Sequence, residues 1–136
     1  MKISKELQVR FADIDVMGHV NNAIYLSYFE EGRMTYFEKR IGKDWDWTKD
    51  GIVLARNEVD YKIPILLKEK PIIDTYLLEI GKKSLTFAYS IHDGAGKEYA
   101  IGKSVLVCFD YELGKTKEVP DIWRELLHID NFVLKT

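Results

Sequence analysis

The sequence predicts an α+β chain in which an antiparallel sheet of about five strands wraps one long helix. Three observations carry this. The only long helical pattern runs from Ala23 to Arg40; the chain from Ile52 to Asp110 reads as strands; and Asp93-Gly94-Ala95-Gly96 supplies a hairpin turn between two of them. With 136 residues, one domain covering 1–136 and built on one core is expected.

The elements follow in order. Leu7 to Phe11 alternates apolar and polar side chains, as a half-buried strand does. A polar stretch from Asp13 to Asn22 interrupts it. The helix comes next, with Asn21 or Asn22 placed to cap it and Gly42 to end it. Its apolar residues, among them Ile24, Tyr25, Tyr28, Phe29, Tyr36 and Phe37, cover much of its girth, so it is expected to be buried on more than one side. Gly32 within it weakens helix formation by about 1 kcal/mol relative to Ala, so either another backbone passes close by or the glycine is simply tolerated.

Strands are expected at Ile52 to Tyr61 and Ile72 to Ile80. Leu85, Phe87, Tyr89 and Ile91 then alternate with small or polar residues up to the turn Asp93-Gly94-Ala95-Gly96. The partner strand, Glu98 to Phe109, sets bulky residues against Ala100, Gly102 and Ser104. These two neighbours each have a bulky and a small face, and the alternation does not say which face meets the helix. A short helix is expected to begin near Pro120.

Composition narrows the function. Twenty Lys and Arg against 22 Asp and Glu give a net charge of −2, which argues against a general nucleic-acid binder. The chain has no apolar run long enough to span a bilayer and no apolar signal core after Lys2, so a cytoplasmic protein without a membrane partner is expected. The lone Cys108, set in Val105-Leu106-Val107-Cys108-Phe109, reads as buried packing.

The chemistry lies in Asp13-Ile14-Asp15-Val16-Met17-Gly18-His19-Val20-Asn21-Asn22, where two carboxylates, an imidazole and two amides stand directly ahead of a helix N-terminus. Carboxylates with ordinary pKa values near 3.9 are ionised at neutral pH, and the helix start attracts negative charge.

Val9-Arg10-Phe11-Ala12-Asp13-Ile14-Asp15, Gly18-His19-Val20-Asn21-Asn22 and Tyr25-Leu26-Ser27-Tyr28-Phe29-Glu30-Glu31-Gly32-Arg33 together resemble the signature of the 4-hydroxybenzoyl-CoA thioesterase-like acyl-CoA thioesterases. Val59-Asp60-Tyr61 with Pro64, and Gly102 to Asp110, are similar to that family's strand patterns. The resemblance spans roughly residues 5 to 127. It implies a hotdog fold, homodimers often paired into homotetramers, active sites at the dimer interface, and CoA as part of the substrate with no further cofactor.

Carried over by position, Asp15 matches the family's catalytic aspartate, as general base toward water or as a nucleophile forming an acyl-aspartyl anhydride. Asn22 matches the residue whose backbone N–H polarises the thioester carbonyl, and Gly18 lets the backbone bend between them. Asn21 and Tyr25 are expected near the substrate. Taken alone, Asp15 reads first as a residue that stabilises a turn or caps the helix, and only the resemblance turns it toward catalysis. Asp13 reads as holding the loop.

His19 departs from family members with an apolar residue there. It is either a hydrogen-bonded loop histidine or a group orienting water or substrate, and His19-Val20-Asn21-Asn22 is also similar to the His-Val-Asn motif of plant-type acyl-ACP thioesterases. Glu30 matches a recurring helix glutamate and reads either as substrate-binding or as an ion pair to Arg33. Arg56, Lys82, Lys83 and Lys103 are candidate phosphate partners for CoA, with Lys82-Lys83-Ser84 at a strand start the best placed of them; the alternative is plain solvation. No metal is expected, since Asp13, Asp15 and His19 lack a fourth ligand. The leading expectation is hydrolysis of a small to medium acyl-CoA. An acyl-ACP thioesterase, a dehydratase acting on 3-hydroxyacyl thioesters and a non-catalytic acyl-CoA binding module are the alternatives.

Overall fold

The computed structural model describes residues 1–130, so positions 131–136 of the expected domain lie outside the described residues. Its elements are β1 (Ile3–Glu6), a 3-10 turn (Phe11–Asp13), α1 (Ile24–Arg40), β2 (Gly51–Tyr61), β3 (Ile72–Ile80), β4 (Ser84–His92), β5 (Glu98–Asp110), β6 (Lys115–Thr116) and α2 (Asp121–Leu126). The main antiparallel sheet has the order β1-β3-β4-β5-β2, and β6 adds to β5. The sheet holds α1 against one face, the hotdog arrangement.

The strand pairing decides which face meets the helix. Phe87 lies opposite Ser104, Tyr89 opposite Gly102 and Ile91 opposite Ala100, so the bulky face of β4 and the small face of β5 share the helix side. Phe29 of α1 uses that relief: its ring stacks on Tyr89 at 4.3 Å, over the space a side chain on Gly102 would fill. Gly32 sits where an added Cβ would come within 2.6 Å of Thr75 Oγ1 and 2.9 Å of Ile73 Cδ1 on β3, so what crowds it is two side chains and not the backbone expected from the sequence. Toward the C-terminal half of α1, Phe37 meets Phe87, Trp47 and Trp123 at 5.3–5.5 Å. Gly42, with φ of 115°, follows the last turn, and its N–H bonds the Glu38 carbonyl.

Two expectations change. The first strand is Ile3–Glu6, not Leu7 to Phe11. Leu7 still bonds the Pro71 carbonyl and is buried, but beyond it the Arg10 N–H and guanidinium bind the Asp13 carboxylate, closing a 3-10 turn that leaves Phe11 in solvent. The helix cap also shifts by one residue. Ala23 flanks α1 already in helical geometry, and the Asn21 carboxamide, rather than Asn22, accepts its N–H.

Candidate active site

The segment from Asp13 to Asn22 folds back on itself. Asp15 N–H donates to the His19 carbonyl at 3.0 Å and Asn21 N–H to the Asp13 carbonyl at 2.9 Å, with Ile14 bridging Val20 between them. Asp15 and His19 therefore face each other across a minimal ladder. Its turn is closed by Gly18 N–H on the Asp15 carbonyl, and Gly18 takes a φ of 88° that side-chain-bearing residues rarely adopt. Val20, fully buried, anchors the ladder through its N–H to the Ile65 carbonyl, while the tip residues Val16 and Met17 stand exposed.

Asp13 and Asp15 have separate roles in this geometry. Asp13 is buried and accepts from the Arg10 main chain, the Arg10 guanidinium and the Tyr28 hydroxyl. Burial by itself would raise its carboxyl, but those hydrogen bonds outweigh it and hold the group below the usual carboxylate range. Tyr28 is pushed well above an ordinary phenol, first by burial and then by donating to Asp13. Asp15 is half-buried, and its Oδ1 accepts the Met17 N–H at 2.9 Å.

The helix start leaves one donor open. Ala23 N–H is taken by Asn21 Oδ1, and Ile24 N–H by the Asn21 carbonyl at 2.9 Å. In a trans peptide the carbonyl and the next N–H point opposite ways, so the Asn22 N–H is directed away from the helix. Among the described residues nothing accepts a hydrogen bond from it. The Asn22 carbonyl, in turn, is held by the Tyr61 hydroxyl at 2.8 Å.

His19, Asn22, Tyr25, Tyr61, Lys62, Ile63 and Pro64 line a cleft of about 200 Å³ between the start of α1 and the end of β2. The structure thus gathers His19, Asn22 and Tyr25 in the cleft wall, while Asp15, paired with His19 through the main chain, is not among the residues lining it. The His19 Nδ1 lies 3.3 Å from the Val20 carbonyl. Tyr61 stands out in the sequence only as part of a strand pattern; its side-chain parity in β2, opposite Ala100 of β5, is the signal that turns it toward α1.

The other candidates are placed elsewhere. Arg56 projects from the opposite face of β2 and pairs with Glu58. Lys82, Lys83 and Ser84 sit at the far end of β4, nine residues or about 30 Å of strand from the loop end of the sheet. There the Lys82 carbonyl accepts from Val119 N–H and Arg124, which docks α2. Lys82 pairs with Glu118 at 4.0 Å, and Lys83 reaches Thr116. Within one protomer the structure does not bring these cations to the loop. Lys103 projects from the outer face of β5, opposite Glu58. Glu30 makes the expected pair with Arg33 at 3.6 Å. Among the described residues no three His, Cys, Asp or Glu side chains gather as a metal site, and no helix is long and apolar enough to cross a membrane.

This fold is that of the hotdog thioesterases. Residues 9–127 match the model of the thioesterase-like superfamily, to which the chain belongs. It is 32% identical to the Bacillus subtilis protein YsmA, covering 90% of this chain and 84% of YsmA. It is 31% identical to YneP of the same organism, described as a putative acyl-CoA thioesterase, over 79% and 80% of the two chains. Among solved structures, a thioesterase from Thermus thermophilus complexed with coenzyme A and Zn shares 39% identity and a TM-score of 0.78, covering 90% of this chain and 94% of that one.

Proposed function

We propose that the protein hydrolyses a small to medium acyl-CoA to the free acid and CoA. The observation that carries this reading is the open Asn22 N–H at the start of α1, at the end of the same short ladder that carries Asp15. A thioester carbonyl seated on that N–H would gain a donor where negative charge develops, reinforced by the positive end of the helix dipole. Because the donor is main-chain, the peptide's orientation matters more than the Asn22 side chain.

Asp15 then supplies the oxygen chemistry. As a base it takes a proton from water, the hydroxide adds to the carbonyl carbon, and collapse of the tetrahedral adduct expels CoA as its thiolate, which recovers the proton. As a nucleophile its carboxylate adds directly, expels the thiolate and leaves an anhydride for water to open. The Met17 N–H fixes one carboxylate oxygen in either route and leaves the other to react. His19, opposite Asp15 and in the cleft wall, is placed to orient the water or the thioester.

The acting unit in this reading is a homodimer, with the site completed across its interface. In support, β2 is a sheet edge whose Leu54 and Tyr61 are exposed, and the loop carries Phe11, Val16 and Met17 into solvent. A partner surface is also the means by which Arg56 or Lys82–Ser84 of one copy would approach the loop of another. Sedimentation velocity should give a dimer or tetramer; a monomer would remove this part of the reading.

An acyl-CoA panel read by release of free thiol tests the function. Asp15→Asn is expected to lower turnover by orders of magnitude while leaving the melting temperature near that of the parent. Full activity in that variant would sink the assignment. Hydration of an enoyl-CoA without thiol release would point instead to a dehydratase, and saturable binding without any turnover to a binding module.

A further inference from the structure

The seam between α1 and the inner face of β2 opens a second time, farther along the helix. There a groove of about 230 Å³ is walled by Glu30, Arg33, Met34, Ile52, Leu54 and Tyr111, among others. Arg33 is its unusual member. Its side chain is 6% exposed, yet Nε and NH1 are buried with no hydrogen-bond partner. Its one carboxylate neighbour, Glu30, stands 3.6 Å from NH2 and is itself 68% exposed, so solvent screens the pair.

The surroundings supply too few acceptors for the guanidinium's five N–H groups. The Tyr89 hydroxyl lies beside Arg33 and Ser104, close enough to interact with both though outside normal hydrogen-bond geometry, and can accept from one guanidinium N–H, while Ser104 donates to Asn57 Oδ1 at 2.5 Å. With one hydroxyl and one solvent-screened carboxylate beside it, the Arg33 guanidinium has donors in excess at the wall of a largely apolar groove. A guanidinium in that setting calls for an oxygen-bearing partner.

Position along the helix sets how far from the thioester that partner would be. Arg33 is eleven residues after Asn22, about 16 Å along α1. An extended chain advances about 1.2 Å per bond, so a chain running the length of the seam covers the distance in about a dozen bonds. Resting on the thioester reading above, we propose that Arg33 is a specificity residue: with the thioester carbonyl at Asn22, it binds an oxygen function, a hydroxyl or carboxylate, at the far end of a medium acyl chain lying in the α1–β2 seam.

The test compares lauroyl-CoA with its ω-hydroxy and ω-carboxy counterparts. The parent enzyme is expected to favour the oxygenated chains in kcat/KM by about ten- to a hundredfold, chiefly through KM, as a charge-assisted hydrogen bond would give. Arg33→Met should bring that ratio to about one, and Arg33→Lys should retain part of it. A ratio near one in the parent, or an unchanged ratio in Arg33→Met, overturns the proposal while leaving thioesterase activity standing. If no acyl-CoA is hydrolysed, the functional reading fails on its own. Calorimetry with lauric acid and its ω-hydroxy derivative then decides the Arg33 site: an Arg33-dependent preference supports it, and equal affinities refute it. Melting temperatures of both variants confirm that they are folded.

Discussion

The Tyr61 hydroxyl donates a hydrogen bond of 2.8 Å to the main-chain carbonyl of Asn22, which ties the end of the edge strand β2 to the first turn of α1. Tyr25 packs edge-on against the same ring at 4.9 Å, so two tyrosines steady the stretch of backbone that carries the open Asn22 N–H. Tyr61→Phe keeps the ring and removes the hydrogen bond. A partly exposed bond of this kind contributes about 1 kcal/mol, equivalent to about fivefold in rate if it acts through the transition state. The variant is expected to lose kcat by about that factor while its melting temperature falls by no more than about 5 °C, measured in parallel thiol-release and thermal-unfolding assays.

Asp13 should behave in the opposite way to Asp15. Its carboxylate gathers Arg10 and Tyr28, and breaking a charged hydrogen bond of this kind costs about 1–3 kcal/mol. Asp13→Asn is therefore expected to lower stability measurably. The pH dependence has a definite sign. The folded-state pKa lies below the unfolded one, so this stabilisation is complete above the unfolded value of about 3.9 and is lost as pH falls through the folded value. Urea titrations from pH 7 down to acid should show the parent losing more stability over that window than Asp13→Asn does.

Two glycines make a matched pair. On helix propensity alone, Gly32→Ala would stabilise α1 by about 1 kcal/mol. The new methyl, however, would lie 2.6 Å from Thr75 Oγ1 and 2.9 Å from Ile73 Cδ1, and Ile73 is fully buried. The net effect is expected to be destabilising by about 1–2 kcal/mol. Gly102→Ala is expected to cost more, because its methyl would enter the Phe29 ring and sit 2.8 Å from the main-chain oxygen of Glu58, which cannot rotate aside. Denaturant midpoints of the two variants should rank in that order.

A linear pattern carries local periods well and distant contacts poorly. The alternation of Leu85, Phe87, Tyr89 and Ile91 locates β4 because its period is local, and Gly32 betrays a close contact because glycine is disfavoured in helices. β1 escapes because Ile3-Ser4-Lys5-Glu6 has one apolar residue and is held by distant groups, with Ser4 and Lys2 both reaching Asp74 of β3. The expected strand at Leu7 to Phe11 fails where Arg10 and Asp13 close on each other. At the site, Asp15, His19 and Asn22 are legible as one contiguous motif. Tyr61 and the buried state of Arg33 are not, since both follow from how β2 passes α1, a relation between residues far apart in the chain.

Cys108 provides a check on the packing of β5 that also serves the activity assay. It is 1% exposed on the helix side of the strand, and burial pushes its thiol up to about 11. Thiol reagents react with the thiolate, so at pH 8 the folded protein offers little of the reactive form and almost no access to it. The native chain is expected to label far more slowly than free thiol with an aromatic disulfide reagent, and to release one equivalent promptly once urea unfolds it. Slow native labelling would also mean that free thiol seen during acyl-CoA turnover comes from CoA and not from the protein. Rapid labelling without denaturant would show β5 open at Cys108, and with it the face on which Phe29 and the helix start depend.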